Sequence, residues 1–335
     1  MNPQTADLCA DTPRVHDTPA WPRTGPNLFI IGASKAGSSA LHAYLAAHPD
    51  ICMSREKEPC FFVDQDELRA AWPIMARQPC SHDRQAYLAL WEGGESARYR
   101  GESSVYYSQA PHRSEVAARI AAARPDARIL YTVREPVTRA IGHYWQRFKE
   151  FQEPLPLDEA IRSNPLYRDT SDYALQLQAY LDHFPASQIH VVIAEELRAR
   201  RREVLAQCID WLGLAPFAFD DAQLADRHRS PPTSRRPRFP MVGQIRDSAM
   251  WSALRRHLPD AVVTRLRLHC ERRPDRPVLG TRRMGPAQPQ ARAALSVLRH
   301  HAGGRLCGYS HRADRRADVH PHADRLAAAD RQDLP

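Results

Sequence analysis

The sequence lacks the features of a secreted, membrane-spanning or zinc-binding protein. Its seven cysteines are an odd number and form no Cys-x-x-Cys pair, which argues against a disulfide framework and a zinc site. No run approaches the roughly 18 consecutive apolar residues that a membrane span needs. The first 24 residues are polar and contain no apolar segment typical of a secretory signal. The sequence therefore predicts a cytoplasmic protein without a membrane span.

Lysine is scarce as well. Of 47 basic residues only Lys35, Lys57 and Lys149 are lysine, and the other 44 are arginine. Because the two side chains are not interchangeable, a lysine retained in so arginine-rich a chain indicates a position that needs a compact ammonium group.

The net charge of +8 is unevenly distributed along the chain. Residues 1–225 contain 24 basic and 29 acidic residues, whereas residues 226–335 contain 23 basic and 10 acidic residues. This distribution argues against a nucleic-acid-binding surface that extends over the whole protein, and we expect no nucleic-acid partner.

Two strand–loop–helix units predict the fold class. Residues 27–32 form a short apolar run typical of a buried strand, followed by a small polar loop and a helix at 39–48. A second strand at 128–133 leads into a helix that begins at Pro136 and continues through about Phe148. Alternating strands and helices predict an α/β fold with a parallel sheet flanked by helices. Further helices are predicted at 112–123, 173–184 and 196–212, and a further strand at 188–193.

Composition divides the 335 residues into three predicted segments. Residues 1–26 are a polar extension, and residues 27–283 contain the apolar periodicity of a folded domain. Residues 284–335 are rich in Ala, Arg, His, Asp and Pro, with Tyr309 as their only aromatic residue. Because such a composition cannot bury much core, this basic tail is predicted to be disordered.

The loop after the first strand has the composition of an anion-binding site. Residues 32–39 read Gly-Ala-Ser-Lys-Ala-Gly-Ser-Ser. The N–H groups of Gly37, Ser38 and Ser39 would point at an anion from the helix N-terminus, and Lys35 adds positive charge. In nucleotide triphosphatases the lysine follows the second glycine, whereas here it precedes that glycine. A turn that only starts the helix is the structural alternative.

Three further segments accompany this loop. Residues 57–62 read Lys-Glu-Pro-Cys-Phe-Phe, residues 102–107 read Glu-Ser-Ser-Val-Tyr-Tyr, and residues 129–144 run from a strand through Arg-Glu-Pro into a helix. In this order they resemble the sulfotransferases that use 3′-phosphoadenosine 5′-phosphosulfate (PAPS), in particular the heparan sulfate N- and 3-O-sulfotransferases and their bacterial relatives. The loop is similar to their 5′-phosphosulfate-binding loop. The three segments are similar to their Glu-x-x-Phe-Phe element, acceptor-cleft segment and 3′-phosphate-binding strand and helix.

The resemblance implies a fold, an activity and a set of site residues. The fold is the P-loop NTPase-like sulfotransferase fold. The activity is the transfer of a sulfuryl group from PAPS to a hydroxyl or amine of a carbohydrate or glycoconjugate, with no metal. Glu58 matches the catalytic base, for which Glu56 is the competitor, and Lys35 is the cation that stabilises the leaving phosphate. The residues implied to bind PAPS are Lys35, Ala36, Gly37, Ser38, Ser39, Arg134 and Gly142.

Two positions depart from the family pattern. Gly142 stands where the family has serine, so either a backbone N–H replaces that contact or the 3′-phosphate is held more weakly. Cys60 stands where 3-O-sulfating members have histidine. These departures keep open a sulfotransferase-like protein that binds PAPS without catalysis.

The surroundings of the site carry further expectations. Glu102 is expected near the acceptor, Arg139 is expected to face solvent, and His143 is expected to pack or cap rather than catalyse. One arginine of residues 227–238 is predicted to touch the donor, with a solvated linker as the equal alternative. The aromatic side chains that could either stack on a sugar or belong to the core are Tyr106, Tyr107 and Trp145.

Two other classes of protein are weighed against this interpretation. A magnesium-dependent nucleotide kinase or triphosphatase could use the same loop, although its lysine pattern differs. A nucleic-acid- or anionic-membrane-binding protein could act through the basic C-terminal third, where binding would depend strongly on salt.

Overall fold

A five-stranded parallel sheet forms the centre of the molecule. The computed structural model describes residues 21–150 and 152–225, with two short backbone segments at 236–237 and 271–272. The strand order is β2-β3-β1-β4-β5, and every neighbouring pair is parallel. The predicted α/β class with a parallel sheet is therefore confirmed. The strands are β1 (Leu28–Ile30), β2 (Ile51–Met53), β3 (Tyr99–Ser103), β4 (Arg128–Val133) and β5 (Ile189–Ile193).

Helices connect the strands and cover both faces of the sheet. In the described ranges they are α1 (Ser38–Leu45), α2 (Gln65–Ala71), α3 (Pro73–Ala76), α4 (Arg84–Leu88), α5 (Val116–Ala123), α6 (Pro136–Lys149), α7 (Leu157–Ser163), α8 (Pro165–Asp169), α9 (Tyr173–Leu181), α10 (Ala194–Ala199) and α11 (Arg201–Trp211). A separate antiparallel pair joins β6 (Arg236–Pro237) to β7 (Glu271–Arg272).

Alternating side chains of the central strands build two cores. On one face Phe29 of β1 and Ile129 of β4 pack with side chains of α5 and α9. On the other face Leu28 and Leu130 pack with side chains of α1 and α11. All four strand residues are fully buried, as expected for a parallel sheet covered on both sides.

The strands predicted at 27–32, 128–133 and 188–193 are confirmed, whereas β2 and β3 were not predicted. β2 has only three residues, and β3 reads Tyr-Arg-Gly-Glu-Ser, which is polar although all five residues are buried. The single helix predicted at 196–212 is two helices, because the backbone leaves the helical conformation at Arg200 (φ −135°, ψ 53°).

The predicted domain boundaries remain predictions. The tail at 284–335, most of the extension at 1–26 and most of residues 227–238 lie outside the described residues. Within the described ranges, no helix combines the length and the apolar character needed to cross a bilayer.

Candidate active site

A cleft of about 850 Å³ opens at the carboxyl edge of the sheet. Residues from the segments that follow all five strands line it, which is where ligands bind in open α/β sheets. The loop predicted to bind an anion, residues 32–39, follows the central strand β1 at this edge and is named the anion-binding loop. The lining residues are Ser34, Lys35, Ala36, Gly37, Ser38, Ser39, Ala40, Tyr44, Lys57, Glu58, Trp72, Val105, Tyr106, Arg134, Gln146, Glu150, Ala194, Leu197, Arg198 and Arg201.

The anion-binding loop is held against β4. The Ala33 N–H donates to the Thr132 carbonyl (2.6 Å), and the Thr132 hydroxyl donates to the Gly32 carbonyl (2.5 Å). Gly37 begins α1 with a left-handed backbone (φ 94°), and no side chain caps the helix. The Ala40 N–H donates to the Gly37 carbonyl (3.0 Å), whereas the N–H groups of Ser38 and Ser39 have no backbone partner among the described residues and can bind an anion at the cleft.

Lys35 and Arg134 meet at this loop. The Arg134 guanidinium donates to the Lys35 carbonyl through Nη1 (3.1 Å), and the Tyr173 hydroxyl donates to the Arg134 carbonyl (2.6 Å). Burial, followed by repulsion from Lys149 and Arg134, lowers the pKa of Lys35 from its ordinary value. An anion in the cleft would offset this repulsion and stabilise the charged lysine.

Glu58 lies in the same cleft, on the loop after β2. Its N–H donates to the Ser103 carbonyl (2.9 Å), and its Oε2 accepts from the Val105 N–H (2.7 Å). The other carboxylate oxygen contacts the Lys57 ammonium, and the Glu58 side chain is 14% exposed. The backbone at Lys35 (φ 68°) and at Glu58 (φ 64°) adopts the left-handed region.

Glu56, the competing base, is exposed and does not line the cleft. Of the two carboxylates, Glu58 is the one whose position and orientation are determined by hydrogen bonds at the site.

Aromatic side chains anchor the Glu58 loop to the core. Phe61 stacks on Tyr87 with ring centroids 4.3 Å apart, and Phe62 packs edge-on against Phe29 at 5.8 Å. The Phe-Phe pair is thus structural. It fixes the loop that orients the Glu58 carboxylate, three positions before Phe61.

Glu102, expected near the acceptor, does not line the cleft. It is a fully buried residue of β3, and it accepts hydrogen bonds from the Tyr87 hydroxyl and the Ser104 hydroxyl (2.8 Å). Burial raises the pKa of Glu102 to about 7. Ser104 in turn accepts from the Cys60 N–H (3.2 Å), so Glu102 supports the Glu58 loop from below.

Cys60 is also buried, and burial together with Glu58 and Glu102 raises the pKa of its thiol. The thiol is therefore protonated at neutral pH and cannot act as a base.

Among the residues predicted for catalysis and PAPS binding, Gly142 is the one that does not line the cleft. A Cβ added there would lie 3.3 Å from Cβ of Lys35, so α6 packs directly against the lysine side chain. The glycine permits this close approach, and its contact to a 3′-phosphate stays a prediction.

Arg139 is fully buried, and the expectation that it faces solvent is wrong. Its guanidinium donates to the Ser171 hydroxyl (2.7 Å) and the Tyr167 carbonyl (2.6 Å), with a longer contact to the Ser34 carbonyl of the anion-binding loop (3.5 Å). Within the described ranges its hydrogen-bond partners are neutral.

Burial and the Arg139 charge lower the pKa of the adjacent His143, which packs as a neutral imidazole.

We expect Arg139→Lys to lower the free energy of unfolding by about 2–3 kcal/mol, because an ammonium cannot replace the guanidinium fork at two buried acceptors. Urea unfolding followed by circular dichroism measures the change. The matched control is Arg162→Lys, since Arg162 is 74% exposed and we expect a change within about 0.5 kcal/mol. Equal stability of the two variants would contradict the role of Arg139.

The aromatic candidates separate by position. Tyr106 lines the cleft, whereas Tyr107 is 2% exposed in the core and Trp145 packs against Tyr144 and Phe148. Sequence reasoning missed Trp72, which lines the cleft and stacks on Tyr106. It also missed three lining residues from α1, α10 and α11, namely Tyr44, Arg198 and Arg201.

The predicted arginine contact from residues 227–238 stays a prediction. Only the backbone of Arg236–Pro237 is described in that stretch, and it lies beside α6. In the part of the chain that the structure describes, no group of three or more His, Cys, Asp or Glu side chains could hold a metal ion.

The sheet and its anion-binding loop define a P-loop-like α/β protein. A sequence model of the Sulfotransferase family matches residues 26–221, and the chain belongs to that family.

Three known proteins illustrate the similarity. The crystal structure of a sulfotransferase from Alicyclobacillus acidocaldarius is 30% identical with a TM-score of 0.50, covering 62% of this chain and 87% of the other. Heparan sulfate glucosamine 3-O-sulfotransferase 3B1 of Homo sapiens is 31% identical over 58% of this chain and 48% of its own length. Bifunctional heparan sulfate N-deacetylase/N-sulfotransferase 1 of Caenorhabditis briggsae is 24% identical over 58% of this chain and 23% of its own length. The chain thus spans 48% and 23% of the lengths of these two curated relatives.

Proposed function

We propose that the protein transfers a sulfuryl group from PAPS to a hydroxyl or amine of a carbohydrate or glycoconjugate acceptor. The observation that carries the proposal is one cleft in which an uncapped helix N-terminus, Lys35 and Arg134 lie together with the hydrogen-bonded carboxylate of Glu58. Cations and N–H donors suit a donor with two anionic groups, and a held carboxylate suits an acceptor proton.

The residues of the anion-binding loop fit the donor. The cleft of about 850 Å³ is within the size range of cofactor and ligand pockets. N–H groups of Gly37, Ser38 and Ser39 would hold the 5′-phosphosulfate, and Arg134 would hold the 3′-phosphate through its guanidinium fork. PAPS supplies the sulfuryl group and is released as 3′-phosphoadenosine 5′-phosphate (PAP).

Glu58 and Lys35 divide the chemistry. Glu58 accepts the proton of the acceptor hydroxyl or amine as the acceptor oxygen or nitrogen bonds to sulfur. Lys35 neutralises the charge that develops on the phosphate oxygen as its bond to sulfur breaks. Both act on a substrate pair held in line, so positioning supplies much of the rate, as in phosphoryl transfer.

The acceptor class is proposed from the relatives, whose names specify heparan sulfate. Two further statements stay predictions from the sequence: that the reaction needs no metal, and that the protein is cytoplasmic.

Isothermal titration with PAP, without added metal, tests the donor site. We expect wild type to bind PAP with micromolar affinity and Arg134→Ala to weaken binding tenfold or more, about 1.4 kcal/mol. The matched control is Arg168→Ala, because the Arg168 side chain is 76% exposed on α8 and does not line the cleft. No binding of PAP by wild type would overturn the proposed function, and ATP with magnesium would then be titrated to test the kinase alternative.

A further inference from the structure

Two stacked aromatic rings form part of the cleft wall. Trp72, between α2 and α3, and Tyr106, in the turn after β3, lie with ring centroids 5.8 Å apart and planes 16° from parallel. Both residues are half-buried and both line the cleft. The Arg113 guanidinium lies 4.9 Å from the Tyr106 ring and bonds to the Gln109 side chain, which holds the pair in place.

This pair adjoins the proposed base. Tyr106 directly follows Val105, whose N–H donates to Glu58 Oε2 at 2.7 Å. A molecule that rests against the aromatic pair would therefore present its nearest hydroxyl or amine to the Glu58 carboxylate. Lys35 and Arg134 meet at the anion-binding loop, where the Arg134 guanidinium donates to the Lys35 carbonyl.

The charges near the pair do not suit a polyanion. Among the described lining residues in this neighbourhood, the charged groups are Lys57, Glu58 and Glu150, and the Lys57 ammonium contacts Glu58. The guanidinium of Arg113 is engaged with Tyr106 and Gln109. A heavily sulfated chain would meet two carboxylates beside an ammonium and a guanidinium that are both already engaged, whereas an uncharged ring would meet an aromatic surface.

We propose that the Trp72–Tyr106 pair is the acceptor platform, and that it selects an acceptor whose reacting group is carried by an uncharged ring with an apolar face. This inference rests on the proposed sulfuryl transfer and specifies its acceptor by the ring that carries the reacting group. A neutral sugar ring and an aromatic ring share this chemistry. Trp72 and Tyr106 are thus specificity-determining residues that contact the acceptor and not the donor.

Titration of the PAP-saturated protein with three probes tests the platform. Cellotriose supplies neutral sugar rings, 2-naphthol supplies an aromatic ring with a hydroxyl, and a sulfated heparan hexasaccharide supplies a polyanion. We expect at least one neutral probe to bind more tightly than the hexasaccharide, and Trp72→Leu to weaken that binding about tenfold. Trp72→Phe keeps a ring and is expected to stay within about threefold of wild type. Which neutral probe binds distinguishes a sugar from an aryl acceptor.

Controls separate the platform from the fold and from the donor site. Affinity for PAP reports the integrity of each variant and should match wild type, and Tyr106→Leu provides a second truncation if Trp72→Leu does not fold. Trp211→Leu is the matched control, because Trp211 also stacks half-buried, on His190, at a distance from the cleft. Absence of binding by both neutral probes, equal binding by Trp72→Leu, or preference for the hexasaccharide would overturn the inference. Failure of wild type to bind PAP would instead overturn the proposed function.

Discussion

Replacing Glu58 with glutamine should reduce the rate of sulfuryl transfer by about 10²- to 10⁴-fold, which is the usual contribution of a general base. Glutamine keeps an oxygen that can accept the Val105 N–H, so the loop geometry is retained while the proton acceptor is lost. Affinity for PAP should change less than about threefold, because the donor contacts lie on the anion-binding loop. Transfer from radiolabelled PAPS to an acceptor that wild type sulfates measures the rate.

Glu56→Gln is the matched control for this substitution. It removes a carboxylate two residues away that is exposed and outside the cleft, and it should leave the rate within about twofold of wild type. A full rate in Glu58→Gln, or an equal loss in both variants, would exclude Glu58 as the base.

Removing the Lys35 ammonium has the second large expected effect. We expect Lys35→Ala to lower the transfer rate by about 10²- to 10³-fold, because a charge preorganised at the leaving group in a buried site contributes roughly this much. Affinity for PAP should also fall tenfold or more. Lys35→Arg should not restore the rate, since α6 at Gly142 leaves little space beside the lysine stem and a guanidinium is wider than an ammonium.

The control for Lys35 is Lys149→Ala. Lys149 repels Lys35 electrostatically but does not line the cleft, so its removal should leave the transfer rate within about threefold of wild type. A loss as large as that of Lys35→Ala would indicate that the site depends on total positive charge and not on one placed ammonium.

The sequence predicted the parts of the site that depend on local order along the chain. Lys35 and Arg134 each follow a buried apolar strand, and the carboxyl ends of neighbouring parallel strands meet at one edge. Their meeting in one cleft could therefore be inferred without coordinates. Glu58 was found through its motif, since its own strand, β2, is too short to give a periodic signal.

Features that depend on distant partners escaped prediction. Arg139 reads as a surface residue of an amphipathic helix, and its buried acceptors Ser171 and Tyr167 are 32 and 28 residues away in the chain. Glu102 makes β3 read as a polar segment in the sequence. Its carboxylate can be buried because hydroxyl donors such as Tyr87 satisfy it, and the sequence pattern does not show that pairing. Trp72 reads as part of a surface helix, and only the tertiary fold brings it onto Tyr106.

With Lys35 and Glu58 in their proposed catalytic roles, the left-handed backbone at both residues and at nearby Cys60 (φ 55°) places stability and catalysis in opposition. A side chain in this conformation costs about 1–2 kcal/mol relative to glycine, and folded proteins have only about 5–15 kcal/mol of net stability. Drift toward a more heat-resistant sequence would therefore favour glycine at positions 35 and 58. The glycine variants would be more stable and would lose the proposed chemistry. Retention of lysine at position 35 and glutamate at position 58 would therefore be a signature of selection for that activity.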